Sequence, residues 1–247
     1  MKYRVFIFFS LTLFLWLAGC ASESIQKPKD SEAPLPPKVH LYNPAISNDD
    51  WGPYALTETD GIHIEWDANE EDDIAEYKIY RSTQSDEGYQ LIATVSKDEL
   101  FYEDTDASVE TKYYYRITAV DESDNESNMS QTISYTLLHK ASLMEPPNQS
   151  VVNTSSPDFK WLEVNNAQSY VVRVFVNTED KTIPWKEIWK SREVFPFDEL
   201  KLSYNENNQA TEPLEGGKHY RWRVDANSGR TVGSRSNWYH FSVMSDE

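Results

Sequence analysis

The feature that most constrains this chain is a period of two, written twice. Residues 62–66 read Ile-His-Ile-Glu-Trp, residues 77–81 read Tyr-Lys-Ile-Tyr-Arg, and residues 113–120 read Tyr-Tyr-Tyr-Arg-Ile-Thr-Ala-Val. Residues 91–95 and 132–137 carry the same alternation. Apolar residues at every second position, rich in β-branched and aromatic types, suit a strand with one buried and one wet face. Turn residues separate the runs at 69–73, 82–88 and 121–128. No helical period survives three turns here, so the region is expected to fold as an antiparallel sandwich.

Roughly a hundred residues later the order returns. Phe159-Lys160-Trp161 answers Ile64-Glu65-Trp66, Tyr170-Val171-Val172-Arg173-Val174 answers 77–81, and Tyr220-Arg221-Trp222-Arg223-Val224-Asp225-Ala226 answers 113–119. The second copy carries an insertion within 177–208. Each copy has about the hundred residues usual for one sandwich. The expected organisation is all-β, with two tandem domains at 38–140 and 141–247. Met144-Glu145-Pro146-Pro147 is the expected seam, because paired prolines break a strand. Alternation turns Tyr113, Tyr115, Ile117 and Ala119 inward, and likewise Tyr220, Trp222, Val224 and Ala226. Trp66 and Trp161 join the core, while His63, between Ile62 and Ile64, is expected to face solvent.

Each copy resembles a fibronectin type III domain, the seven-stranded relative of the immunoglobulin sandwich. Trp66 matches the family's core tryptophan on the second strand, 77–81 its third strand, and Asp104-Thr105 its approach to the sixth. The sixth strand and following loop match 113–121 and Asp124-Asn125-Glu126-Ser127, and in the second copy Leu214, Gly217 and Tyr220 fall at the family's leucine-glycine-tyrosine spacing. The resemblance implies a tyrosine corner at Tyr113 and at Tyr220, whose hydroxyls would turn back onto backbone upstream. The first copy departs from the pattern, with Ala107 in place of leucine and no glycine from 108 to 112.

The beginning of the chain has a different character. Lys2 and Arg4 precede an apolar stretch over 5–17, interrupted only by Ser10 and Thr12. A bilayer-spanning helix needs about 20 residues, whereas a secretory h-region needs about 7–15. Leu17-Ala18-Gly19-Cys20 then resembles the lipobox of bacterial lipoproteins. The resemblance implies a signal peptide over 1–19 and an acylated Cys20 as the mature N-terminus, anchored in membrane lipid. Ala21-Ser22 follow Cys20, without the aspartate that holds enterobacterial lipoproteins at the inner membrane, which implies the outer membrane of a bacterial cell envelope. Residues 20–37, polar and proline-rich, are expected to form a flexible linker.

Composition then narrows the function. The chain carries a formal charge of −18, made more negative by loss of Lys2 and Arg4, so nucleic acid is excluded as a partner. Cys20 is the one cysteine, which leaves no disulfide or thiolate metal site in the folded part. His40, His63, His139, His219 and His240 form no pair at metal spacing, and no GxSxG, P-loop or GxGxxG occurs. The acids of 67–73 and 121–127 lack the order of a calcium loop and are read as solvated. No catalytic residue, metal or cofactor is expected. Trp51, Trp185 and Trp189 lie outside the expected strands and are the candidate ligand-binding aromatics. Two readings follow: a non-enzymatic protein-binding or spacer module at the envelope, or a surface glycan-binding lipoprotein stacking sugars on those tryptophans.

Overall fold

A computed structural model describes residues 30–41 and 52–245. The lipobox Leu17, Ala18 and Gly19, the acylation candidate Cys20 and the candidate aromatic Trp51 lie outside the described residues. No described helix is long and apolar enough to cross a membrane.

The first domain is built from β1 (Tyr54–Ala55), β2 (Ile62–Glu65), β3 (Ile74–Ser82), β4 (Gln90–Ser96), β5 (Phe101–Asp104), β6 (Lys112–Asp121) and β7 (Ile133–Leu137). Strands β1-β2-β5 form one sheet and β4-β3-β6-β7 the other, with every pair antiparallel. The second domain repeats the plan with β8 (Leu143–Glu145), β9 (Ser150–Val152), β10 (Asp158–Trp161), β11 (Ser169–Asn177), β12 (Trp185–Lys190), β13 (Lys201–Ser203), β14 (His219–Asn227), β15 (Val232–Arg235) and β16 (Tyr239–Val243). Strands β8-β10-β13 face β12-β11-β14. Both domains are thus all-β sandwiches of the fibronectin type III kind, with the fourth strand on the larger sheet.

Parity decides what is buried. Tyr115, Ile117 and Ala119 on β6, like Tyr220, Trp222, Val224 and Ala226 on β14, are essentially inaccessible, as are Trp66 and Trp161. Phe159 centres the second core, with its ring 5.0 Å from Trp222, 5.7 Å from Trp189 and 6.0 Å from Phe241. The tyrosine hydroxyls turn back along the chain. Tyr220 Oη accepts from the Glu215 amide at 2.8 Å, and Tyr113 Oη accepts from the Ser108 amide at 3.4 Å. The longer contact belongs to the copy with Ala107 beside it.

Three details differ from the sequence reading. His63 is buried, because β2 is covered on its outer side too: its imidazole lies between the rings of Tyr54 (4.4 Å) and Phe101 (5.4 Å). The core changes hands between Leu137 and Leu138, upstream of the proline pair, since Leu143–Glu145 already serves the second sandwich. The end of the proline-rich segment is held in place: the Leu35 amide donates to Glu71 Oε1 at 2.7 Å, Asn69 Nδ2 donates to the Leu35 carbonyl at 2.8 Å, and Val39 bridges to Trp66.

Ser31–Glu247 forms one compact unit, and the junction between the domains shows why. The edge facing the first domain is split: β15 pairs with the C-terminal half of β14, and β16 with its N-terminal half. Strand β15 runs parallel to β7, with Val232 beside Thr136 and Gly233 beside Leu137, so one sheet passes through both domains. The Thr136 amide donates to the Thr231 carbonyl at 2.8 Å, the Leu138 amide to the Gly233 carbonyl at 3.0 Å, and Ser234 Oγ to the His139 carbonyl at 2.8 Å. Lys140 Nζ completes the join, donating to the carbonyls of Leu56 (2.9 Å) and Thr57 in the first domain and Arg235 (3.0 Å) in the second.

Gly233 tests the arrangement, because a Cβ there would sit 2.8 Å from the Ala226 carbonyl and 3.0 Å from Tyr135 Oη. Gly233→Val is expected to cost about 1–3 kcal/mol and to uncouple the domains. Scanning calorimetry should record one transition for the parent and two for the variant. A single unshifted transition in the variant would refute the coupling.

Candidate functional site

The outer face of the second domain's larger sheet is where polar and aromatic groups converge. On β14 the residues alternating with the core are Arg221, Arg223 and Asp225; on β11 they are Arg173 and Phe175. Arg173 Nε donates to Asp225 Oδ2 at 2.6 Å, Arg223 Nε to Asp225 Oδ1 at 2.7 Å, and Arg173 Nη1 to Glu187 Oε2 at 2.8 Å. Burial pushes the Asp225 carboxyl upward, but Arg223, Arg173 and Arg235 outweigh it and hold it well below the usual carboxylate range. A buried charge so paired is costly to leave half-made.

Beyond the ion pairs the same face becomes a stack. The Arg221 guanidinium lies 3.9 Å from the Trp238 ring centre and 4.6 Å from that of Trp185, and Arg223 lies 4.9 Å from Trp238. Phe175 meets Trp238 edge-on at 5.0 Å. Burial first, then repulsion from Arg223, pulls the Arg221 pKa down to about 10. Its Nε has no hydrogen-bond partner among the described residues; ring faces take the place of acceptors. The Trp185 indole also meets the His240 imidazole edge-on at 5.5 Å and is half-buried at the wall of a cleft of about 430 Å3.

The candidate tryptophans therefore part company. Trp185 stays at the surface. Trp189 is 1% exposed, packed against Phe159 and Tyr204 with its Nε1 donating to Asn207 Oδ1 at 2.7 Å, and offers no ring face to a ligand. Trp238, just before β16, is central to the stack. Its signal was the alternation of Arg221 and Arg223 with Trp222, which sends two cations to the face it covers.

Three further sites gather polar groups. In the first domain Asp104 is 1% exposed and accepts from Arg81 Nη1 at 2.8 Å and from Tyr115 Oη at 2.7 Å. At the junction a cavity of about 470 Å3 is lined by Tyr54, Tyr135, Ser169, Arg173, Asp225 and Arg235, among others. Arg235 sits 4.1 Å from the Tyr54 ring centre, extending the Phe101–His63–Tyr54 stack across the junction. At the chain's entry, His40 Nδ1 and Nε2 each lie 2.7 Å from a carboxylate oxygen, of Glu65 and Asp67. No triad of nucleophile, base and orienting acid is formed among these described groups.

The comparisons with known proteins can be set against this geometry. No protein-family model matches the chain. A stretch of 75 residues is 43% identical to an exo β-1,2-glucooligosaccharide sophorohydrolase (non-reducing end) of Parabacteroides distasonis. It covers 30% of this chain and 10% of the enzyme, so the match spans a tenth of that relative's length. Among solved structures, an Fn3-like protein from Clostridium thermocellum is 25% identical, with a TM-score of 0.33 over 42% of this chain and 92% of that one. The FN1–FN3 domains of chicken CNTN1 are 13% identical, with a TM-score of 0.34 over 85% of this chain and 69% of that one.

Two outcomes test the electrostatics. Asp225→Asn is expected to destabilise the protein by about 3–5 kcal/mol. The folded pKa of Asp225 lies below its unfolded value near 3.9, so its contribution is complete above about pH 4 and fades as pH falls further. Urea unfolding should therefore show the gap between parent and variant narrowing from about pH 6 to about pH 2.5. For His40, burial lowers the pKa, but the Glu65 and Asp67 hydrogen bonds raise it overall above 6.5. Its contribution is complete below 6.5 and is lost as pH rises through the raised value. NMR titration should place the imidazole midpoint above 6.5, and Glu65→Gln should lower it.

Proposed function

We propose that the chain is a non-catalytic lipoprotein of the bacterial cell envelope. It is held in the outer membrane by acylated Cys20, and its paired sandwiches act as a stiff binding or spacing module for another envelope protein. The observation that carries the module reading is the β7–β15 pairing, which joins two sandwiches through backbone hydrogen bonds instead of a loose linker. A unit of that kind keeps its loops and sheet edges in a constant arrangement relative to one another, as a spacer or a two-domain binding surface requires. The anchor rests on the order of n-region, apolar stretch and lipobox-like residues. Two or three acyl chains on one cysteine give durable attachment where one chain binds only marginally.

A second reading is favoured by one specific observation. The 75 residues shared at 43% identity belong to a relative whose name describes action on β-1,2-gluco-oligosaccharide. Contact with such a glucan is the reading that this match supports, with binding and not cleavage as the role of a two-sandwich chain.

Fractionation of cells expressing the full chain tests the anchor. The parent is expected in the outer-membrane fraction with a mass-shifted Cys20 peptide, and Cys20→Ala in the soluble fraction. An unmodified Cys20 in membrane-free parent protein would overturn the anchor. Release of sugar from β-1,2-glucan by the purified chain would overturn the non-catalytic reading.

A further inference from the structure

The cleft beside Trp185 differs in chemistry from the rest of the molecule. The protein is 26% charged residues, yet no Asp, Glu, Lys or Arg lines this cleft. Tyr220 and Phe241 border it from beneath, but their rings are buried in the core, at 1% and 2% exposed, so the aromatic surface it offers is that of Trp185. Trp185 forms a wall, and the exposed side chains of Gln149, Asn177, His219 and His240 form a rim of amides and imidazoles. At about 430 Å3 it falls within the roughly 300–1,000 Å3 of small-molecule clefts.

Three properties narrow the ligand. The Trp185 indole beside amides and imidazoles suits a molecule with apolar C–H faces and hydroxyls at its edges, since the ring takes the first and polar side chains the second. The absence of fixed charge in the lining gives an anion or cation nothing to pair with. Burial and the neighbouring Arg221 hold the His240 imidazole below its usual pKa, hence neutral near pH 7 and able both to donate and to accept. The wall is also preorganised: Arg221 covers the Trp185 indole at 4.6 Å and is itself held against Trp238, so little side-chain freedom remains to be lost on binding.

We propose that this cleft is a binding subsite for an uncharged gluco-oligosaccharide, with Trp185 as the apolar wall and Asn177, His219, His240 and Gln149 meeting the hydroxyls. The proposal rests on the glucan reading above and gives it a location on β12, β14 and β16. The ligand class is a neutral glucan, and the linkage to try first is β-1,2.

The test is calorimetric titration of the purified full chain with β-1,2-linked gluco-oligosaccharides, and with cello- and malto-oligosaccharides for comparison. Trp185→Ala should weaken β-1,2-glucan binding by at least about tenfold, the scale of one lost aromatic contact. Trp185 also supports Arg221, so Asn177→Ala and His219→Ala supply exposed substitutions that leave the stack intact; each should weaken binding by about threefold or more. Phe197→Ser, outside the cleft at an 86% exposed position, should leave binding unchanged. Glucan binding that survives the Trp185, Asn177 and His219 substitutions would overturn the subsite while leaving the glucan reading in force. No binding of any of these sugars by the parent at about 10 mM would overturn both.

Discussion

Two short parallel strands, β7 and β15, govern the architecture. A pair of backbone hydrogen bonds is worth little by itself, about 1 kcal/mol each. Their effect comes from where they lie. Residues 138–142 are all that separates β7 from β8, and Leu138 is already in the second core. The connection is thus too short and too tightly held to act as a hinge. Lys140 reinforces it by gathering carbonyls from both domains around one ammonium. Gly233 permits it, because the approach of Ala226 and Tyr135 leaves no room for a side chain.

The second organising device is the arginine-rich outer face of β11 and β14. In a chain with 41 acidic and 23 basic residues, three arginines gather on this face, two of them on one buried carboxylate. Arg173 and Arg223 divide Asp225 between them, while Arg221 is given to aromatic rings. Only a planar, delocalised cation can do both jobs: fork onto a carboxylate at one position and slide between two indoles at another. The arrangement stiffens a face that would otherwise be a plain wet sheet surface, and it holds Trp185 and Trp238 against the Arg221 guanidinium.

Much of this was legible in the chain. The long central strand β3 and the first half of β6 show the period of two plainly, since one face is more buried than the other, whereas β11 and β14 keep their apolar set on the core face although both faces are largely covered. The short strands β1, β5, β13 and β15 show no such pattern, because two to four residues carry no usable period and their pairing is decided by neighbours distant in sequence. Trp185 and Trp189 show where parity fails. Four residues apart on one strand, they should share a face; Val174 pairs with Trp189 and Phe175 with Glu187, so Ile188 is an extra residue and the bulge sends the two indoles to opposite sides. His63 failed for a related reason: its outward direction is correct, but Tyr54 and Phe101 roof it over, and neither roof was visible from alternation alone. The cleft beside Trp185 draws on residues from 149 to 242, a combination that only the closed sandwich brings together.

The split strand has a consequence for anyone who divides this protein. Cutting between residues 137 and 143 would leave each half with its core but also with a raw edge, since β7 would lose β15 and β15 would lose β7. Unpaired edges of this kind are templates for pairing with further copies. Fragments carrying one sandwich should therefore be prone to self-association in a way the intact chain is not, so the two halves are better regarded as one indivisible folding product than as beads that evolution or an engineer could reshuffle.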